Sequence, residues 1–150
     1  MYVPGRTKAE DIKLGLQSED DTKCHLETIT GCPLTKTHNT YDTMDFEGQD
    51  CWIELKTRLW TPAGAPVNHD TYPTTIFSQV KGMDAHKRVK AGKKVYFAFR
   101  FADGIYYWVF SKQAKNYEIR EQYRYRDGKQ EYTGPHIHIP IEDLLYLSGT

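Results

Sequence analysis

Apolar positions along the chain follow two periods. Over residues 6–29 they recur at helical spacing, with Ile12, Leu16 and Leu26 on one stripe. Ser18 followed by Asp21 resembles a capping box and predicts a break, with a fresh helix from Glu19. Gly31 and Pro33 stop it. Residues 34–39 carry a weak strand pattern. Residues 40–58 predict a β-hairpin turning at Glu47-Gly48-Gln49-Asp50, with Met44 and Phe46 on one arm and Trp52, Ile53 and Leu55 on the other. Three prolines and a glycine make residues 60–73 a loop. Residues 76–90 predict a second helix, with Ile76, Val80 and Met83 on one face and Gly92 beyond its end. A strong strand follows at 95–101, turned by Asp103-Gly104 into another at 105–110. A further hairpin turns at Asp127-Gly128, and a short Pro140-initiated helix at 140–146 ends the chain. The expected fold is α/β (α+β) around a central mixed sheet, in a single domain over 1–150.

Composition limits the classes. A chain of 150 residues is one domain's worth and buries roughly 68–70% of its unfolded surface. It holds no apolar run near the ~18 residues of a membrane span. No basic start leads into an apolar stretch, so no signal peptide is expected. Cys24, Cys32 and Cys51 form no C-x-x-C pair, which fits a reducing compartment, cytoplasmic or nuclear. A zinc set of Cys24, His25, Cys32 and His38 lacks the close couples of structural zinc sites.

The hairpin at 40–58 concentrates the chemistry. Strand alternation puts Cys51, Ile53 and Leu55 on one face, and Trp52, Glu54, Lys56 and Arg58 on the other. A turn centred on Gln49-Asp50 pairs positions summing to 99, which sets Asp45 opposite Glu54 at a Cβ separation of roughly 4.5–5.5 Å. Two carboxylates that close repel unless a positive charge lies between them, and Mg²⁺ is a hard cation suited to that place.

Asp45 in Met44-Asp45-Phe46, followed by Glu54-Leu55-Lys56, resembles the PD-(D/E)XK nuclease superfamily, with Met44 where the motif has proline. The family core runs helix, strand, strand, strand, helix, strand, and residues 7–101 can be laid on it in that order. The resemblance implies a restriction-endonuclease-like core, α-β-β-β-α-β, with extra C-terminal β-hairpins. It implies that Asp45, Glu54 and the Leu55 carbonyl hold Mg²⁺, with Mn²⁺ as substitute, and that Lys56 orients the attacking water. A third acid from the first helix is expected at Glu19, with Glu27 further from the stripe. Glu19 equally suits a helix N-terminus on dipole grounds. Gln79 and Lys81 are the second helix's candidates to assist.

Other Asp-x-Lys triplets, at Asp11, Asp21 and Asp127, lie in predicted helix or turn, where the two side chains do not converge. Equal totals of 20 basic and 20 acidic residues, taken alone, weigh against a nucleic-acid partner. The distribution says otherwise. Residues 1–50 carry 5 basic and 10 acidic side chains, residues 51–100 carry 9 and 3. Lys81, Lys87, Arg88, Lys90, Lys93 and Lys94 form a run fit for a phosphate backbone.

Tyr106, Tyr107, Trp108, Tyr117, Tyr123, Tyr125 and Tyr132 are expected mainly in the core, and any exposed ones could stack on unpaired bases. His136 and His138 alternate as a surface pair, and His69 and Asp70 sit in a loop suited to a flap. The expected activity is a Mg²⁺-dependent nuclease acting on DNA, with RNA as second option, in phage or viral DNA processing or junction resolution as a homodimer. The alternative is a catalytically inactive module of the same fold that binds nucleic acid or protein.

Overall fold

The computed structural model describes residues 7–37, 44–61 and 63–149. The expected loose arm at 1–6, the ends of the first strand and hairpin arm at 38–43, and His38 of the zinc set lie outside the described residues.

Helix α1 (Lys8–Thr30) is a single helix with no break at Ser18. Its capping box is Thr7 with Glu10, and Gly31 ends it at φ 69°. Ser18 is interior and buried, and its hydroxyl accepts from Thr57 Oγ1 at 2.7 Å and Arg100 Nη1 at 3.3 Å. The expected stripe is corrected as well. Ile12 and Leu16 are exposed, while Ser18, Thr22 and Leu26 face the sheet. Small hydroxyl residues let the helix lie close to β3, at little cost in hydropathy signal.

Strands β1 (Thr35–Lys36), β2 (Phe46–Glu47) and β3 (Cys51–Arg58) follow. The pairs Phe46↔Ile53 and Glu47↔Trp52 have the predicted register. Residues 74–78 depart from the expectation. They form strand β4 (Thr74–Ser78), and helix α2 (Gln79–Lys90) begins only after Ser78, whose hydroxyl caps Lys81 N at 3.2 Å. Thr74, Thr75 and Ile76 are β-branched and favour a strand. The buried face of α2 is Gly82 and Ala85, whereas Val80 and Met83 are exposed.

Strands β5 (Lys94–Phe101) and β6 (Gly104–Val109) form the expected hairpin. After a short 3₁₀ turn, β7 (Ile119–Arg126) and β8 (Lys129–Pro140) pair around Asp127 and Gly128, both at positive φ. In place of a terminal helix, a 3₁₀ turn at Ile141–Asp143 leads into β9 (Leu145–Ser148), which pairs with β6.

The protein is α+β, with two helices and two sheets among the described residues. The six-stranded mixed sheet has the order β1-β2-β3-β5-β6-β9, with β3 and β5 parallel, and the three-stranded antiparallel sheet has the order β4-β8-β7. The central strands are covered on both sides. Leu26 of α1, with Leu34, Phe46, Ile53, Leu55, Ala98 and Ile105, fills one side. Phe77, Phe97, Phe99, Trp108, Ile137 and Ile139 fill the other, beneath α2 and the small sheet. Tyr123, Tyr125 and Tyr132 are exposed and outside this core, contrary to expectation for most of the aromatics, while Trp108 belongs to it. No helix among the described residues is long and apolar enough to cross a membrane.

Candidate active site

Alternation along β3 places Glu54 on the same face as Trp52, Lys56 and Arg58. That face is not open. The small sheet and α2 cover it, and Glu54 is only 1% exposed. Its Oε2 accepts from Lys56 Nζ at 3.1 Å and from Lys81 Nζ at 2.5 Å. Its Oε1 is sealed from solvent and has no hydrogen-bond partner among the described residues. Burial is the main force raising the Glu54 pKa to about 7, Lys56 and Lys81 oppose it, and Asp45 adds to it.

Asp45 stands beside Glu54, though not as a flat cross-strand partner. The chain bends before β2: Asp45 N donates to Ile53 O at 2.9 Å, and Asp45 Oδ2 accepts from Leu55 N at 2.8 Å. The bend turns the carboxylate over the strand that bears Glu54. Burial raises the Asp45 pKa, while its contact with Glu54 and the Leu55 amide lower it. Both carboxyls are thus raised, with burial as the main cause in each.

Glu19 reaches this group from α1. Its side chain is 14% exposed, lies 3.7 Å from Lys36 Nζ, and adds to the upward push on Asp45. Lys36 also takes Asp20 at 3.0 Å. Glu27 instead caps the following loop by accepting from Leu34 N at 2.8 Å. Gln79 is half-buried at the first residue of α2.

The basic run divides. Lys81 belongs to the Glu54 cluster. Arg88 is held by Asp84 at 2.8 Å and lies 3.9 Å over the Trp52 ring. Lys93 donates to Gln49 O at 3.1 Å. Lys87, Lys90 and Lys94 are exposed.

Two clefts flank the end of β3, sharing Thr57 and Arg58. One, of about 500 Å³, is walled by Trp60, His69, Tyr72, Arg120 and His138 among others. In it His69 Nδ1 lies 2.6 Å from Asp103 and its ring stacks on Tyr106 at 4.4 Å. His138 is bound on both nitrogens, by Thr74 Oγ1 and Gln122 Nε2, and is buried, so the two strand histidines are not a surface pair. The other cleft, about 510 Å³, lies between α1 and β7, and Lys56 lines it. Sequence reasoning did not single out Arg124 and Arg126 there. The signal was the Tyr-Arg-Tyr-Arg run at 123–126.

Among the described residues, the one set of three His, Cys, Asp or Glu ligand atoms within 4.8 Å of one another is His69, Asp70 and Asp103. Such exposed groups are common without an ion. The fit of Asp45 and Glu54 to a cation rests on different grounds: two buried hard-oxygen donors, one with an unsatisfied oxygen. Comparison of the chain with models of protein families, with curated proteins and with solved structures gave no match.

Proposed function

We propose that this chain is a Mg²⁺-dependent nuclease of the PD-(D/E)XK type that hydrolyses phosphodiester bonds of DNA. The observation that carries the reading is the unsatisfied Oε1 of buried Glu54, with Asp45 on one side and Lys56 on the other. A buried carboxylate oxygen without a partner is costly, and it is tolerated most readily where a ligand supplies the missing contact. The order α1, β1, β2, β3, α2, β5 follows the superfamily core, with β4 inserted before α2 and given to the second sheet.

Asp45, Glu54 and the Leu55 carbonyl would hold the cation. When bound, Mg²⁺ supplies Lewis-acid stabilisation of the phosphoryl oxygens and lowers the pKa of water. The chain's own residues do the rest. Glu54 would serve as a ligand in its ionised form. Lys56, half-exposed on the cleft, directs its ammonium at the attacking water or a phosphate oxygen. The Leu55 amide fixes the rotamer of Asp45. RNA is the second substrate class for the same chemistry. Phage or viral DNA processing suits such a small domain, and a junction-resolving role would need two cuts and hence a homodimer, which molar mass in solution tests.

A second reading has one observation in its favour. Glu54 is already ion-paired twice, with Lys56 and Lys81, as in a binding module of this fold that performs no chemistry. Incubating the protein with single-stranded, duplex and branched DNA in Mg²⁺ or Mn²⁺ separates the two. The nuclease reading expects cutting that falls at least about 100-fold in Glu54→Gln and Asp45→Asn. Binding without cutting in either metal selects the module, and equal cutting by the variants removes the assigned site.

A further inference from the structure

The cleft beside Lys56 has walls of unlike chemistry. Asp11, Leu14 and Gly15 of α1 form one side, Lys56, Thr57 and Arg58 of β3 the floor, and Tyr123, Arg124, Tyr125 and Arg126 of β7 the other side. Four cationic side chains and one carboxylate line it, and beyond the cleft Lys56 pairs with Glu54 at 3.1 Å and Arg124 with Glu131 at 3.1 Å. The lining carboxylate, Asp11, is itself bound to Arg126 at 3.1 Å, which ties the β7 wall to α1.

Four consecutive β7 residues border this cleft because β7 is an edge strand; a register irregularity falls between Gln122 and Tyr123, its extra residue being Thr133 of β8. Before it, Arg120 and Gln122 line the other cleft. After it, Tyr123, Arg124, Tyr125 and Arg126 border this one, the tyrosines on one face of the strand and the arginines on the other.

The tyrosines are the informative feature. Tyr123 is 57% exposed and Tyr125 48%. The Tyr132 ring packs against Tyr123 at 5.3 Å and its hydroxyl bonds Glu121, so Tyr123 is held in place while its surface stays open. Large, braced aromatic surface alternating with arginine is how proteins bind unpaired nucleic acid, by stacking on bases while cations follow the backbone. In a duplex the base faces are hidden in the stack, leaving nothing for these rings to cover. The volume of about 510 Å³ lies within the ~300–1,000 Å³ range of ligand sites.

We propose that this cleft binds an unpaired nucleic-acid strand, bases against Tyr123 and Tyr125 at its rim and phosphates along Lys56 and Arg58 on its floor, and delivers it to Lys56, the cleft residue paired with Glu54. The inference rests on the nuclease reading only for what happens after delivery. It makes the preferred substrate a single strand, flap or frayed end.

Fluorescence anisotropy with a labelled oligothymidylate of about ten nucleotides, in EDTA, tests it against a hairpin duplex of the same label. The double variant Tyr123→Ala/Tyr125→Ala should bind the single strand about tenfold more weakly or worse, with duplex affinity unchanged. The double Tyr→Phe variant keeps the rings and should bind as wild type. Both tyrosines are exposed, and an unchanged melting temperature shows that the fold is intact. Unaltered strand binding in the alanine variant overturns the proposal, as does equal loss on duplex. Strand binding that depends on the tyrosines, without cutting in Mg²⁺ or Mn²⁺, upholds the cleft and overturns the nuclease. Cutting that depends on Glu54, with strand binding indifferent to the tyrosines, does the reverse.

Discussion

Lys81 Nζ lies 2.5 Å from Glu54 Oε2, so a helix residue neutralises a strand carboxylate across the interface of α2 and β3. Lys56 adds a second ammonium at 3.1 Å to the same oxygen. The cations do not fully offset burial, and the acid remains at about 7. Removing one of them must push it higher. Lys81→Met is expected to raise the Glu54 titration above its wild-type midpoint, with Lys81→Arg close to wild type. Carbon NMR of the Glu δ position follows the titration directly. A midpoint unmoved in Lys81→Met would show that Lys81 does not face Glu54 in solution.

The same shift sets a stability profile. The unfolded chain loses the Glu54 proton near 4.5, whereas the folded protein keeps it to about 7. Between these values the native state binds more protons than the unfolded state, so stability falls as pH rises through the window. The raised Asp45 acts in the same direction. Thermal melts at pH 5, 6, 7 and 8 should show a declining contribution that Glu54→Gln largely removes. Mg²⁺ added at pH 8 should recover melting temperature in wild type and not in Glu54→Gln, because a ligand that binds only the native state stabilises it.

How much of this was legible in the sequence varies with the range of the contact. The register of β2 on β3 followed from a local turn, and Phe46↔Ile53 obeys it. Strand alternation put Glu54 and Lys56 on one face, whereas Asp45 reaches Glu54 through a bend before β2 that the pairing of 45 with 54 did not foresee. The burial of Glu54 was not legible, because its cover comes from residues 74–90 and 129–140, distant in sequence. Residues 74–78 misled for a physical reason. Ile76, Val80 and Met83 sit at helical spacing, so pattern alone makes them one face, yet the residues α2 buries are Gly82 and Ala85. Small residues carry little hydrophobic signal and reveal themselves only in how closely the helix packs. Arg124 and Arg126 were not legible as site residues because their cleft is made by α1, β3 and β7, distant in sequence.

That close packing is testable at Gly82. A Cβ there would stand 3.0 Å from the Phe77 ring and 3.1 Å from Ile137 Cδ1, both within the core. Gly82→Val should destabilise the fold by about 1–3 kcal/mol through overpacking. It should also move α2 outward and with it the adjacent Lys81, loosening the pair with Glu54. Denaturant melts measure the first effect and the Glu54 titration the second. A stable Gly82→Val with an unshifted midpoint would contradict the packing described.

The basic run of α2 should not act as one surface. Lys87, Lys90 and Lys94 are exposed, whereas Arg88 is held between Asp84 and the Trp52 ring. If the exposed lysines meet phosphates, Lys87→Gln/Lys90→Gln/Lys94→Gln should weaken binding and flatten the plot of log affinity against log salt, by up to about 0.7–0.9 for each phosphate no longer neutralised. Arg88→Ala should leave that slope unchanged and cost stability, because it removes the cation–π contact that braces α2 against Trp52 of β3 and an ion pair within α2. Titrations of single-stranded and duplex DNA at several salt concentrations, paired with melts, distinguish the roles. A slope that drops in Arg88→Ala and stays fixed in the triple variant would reverse the assignment and place the phosphate path on the Trp52 side of the helix.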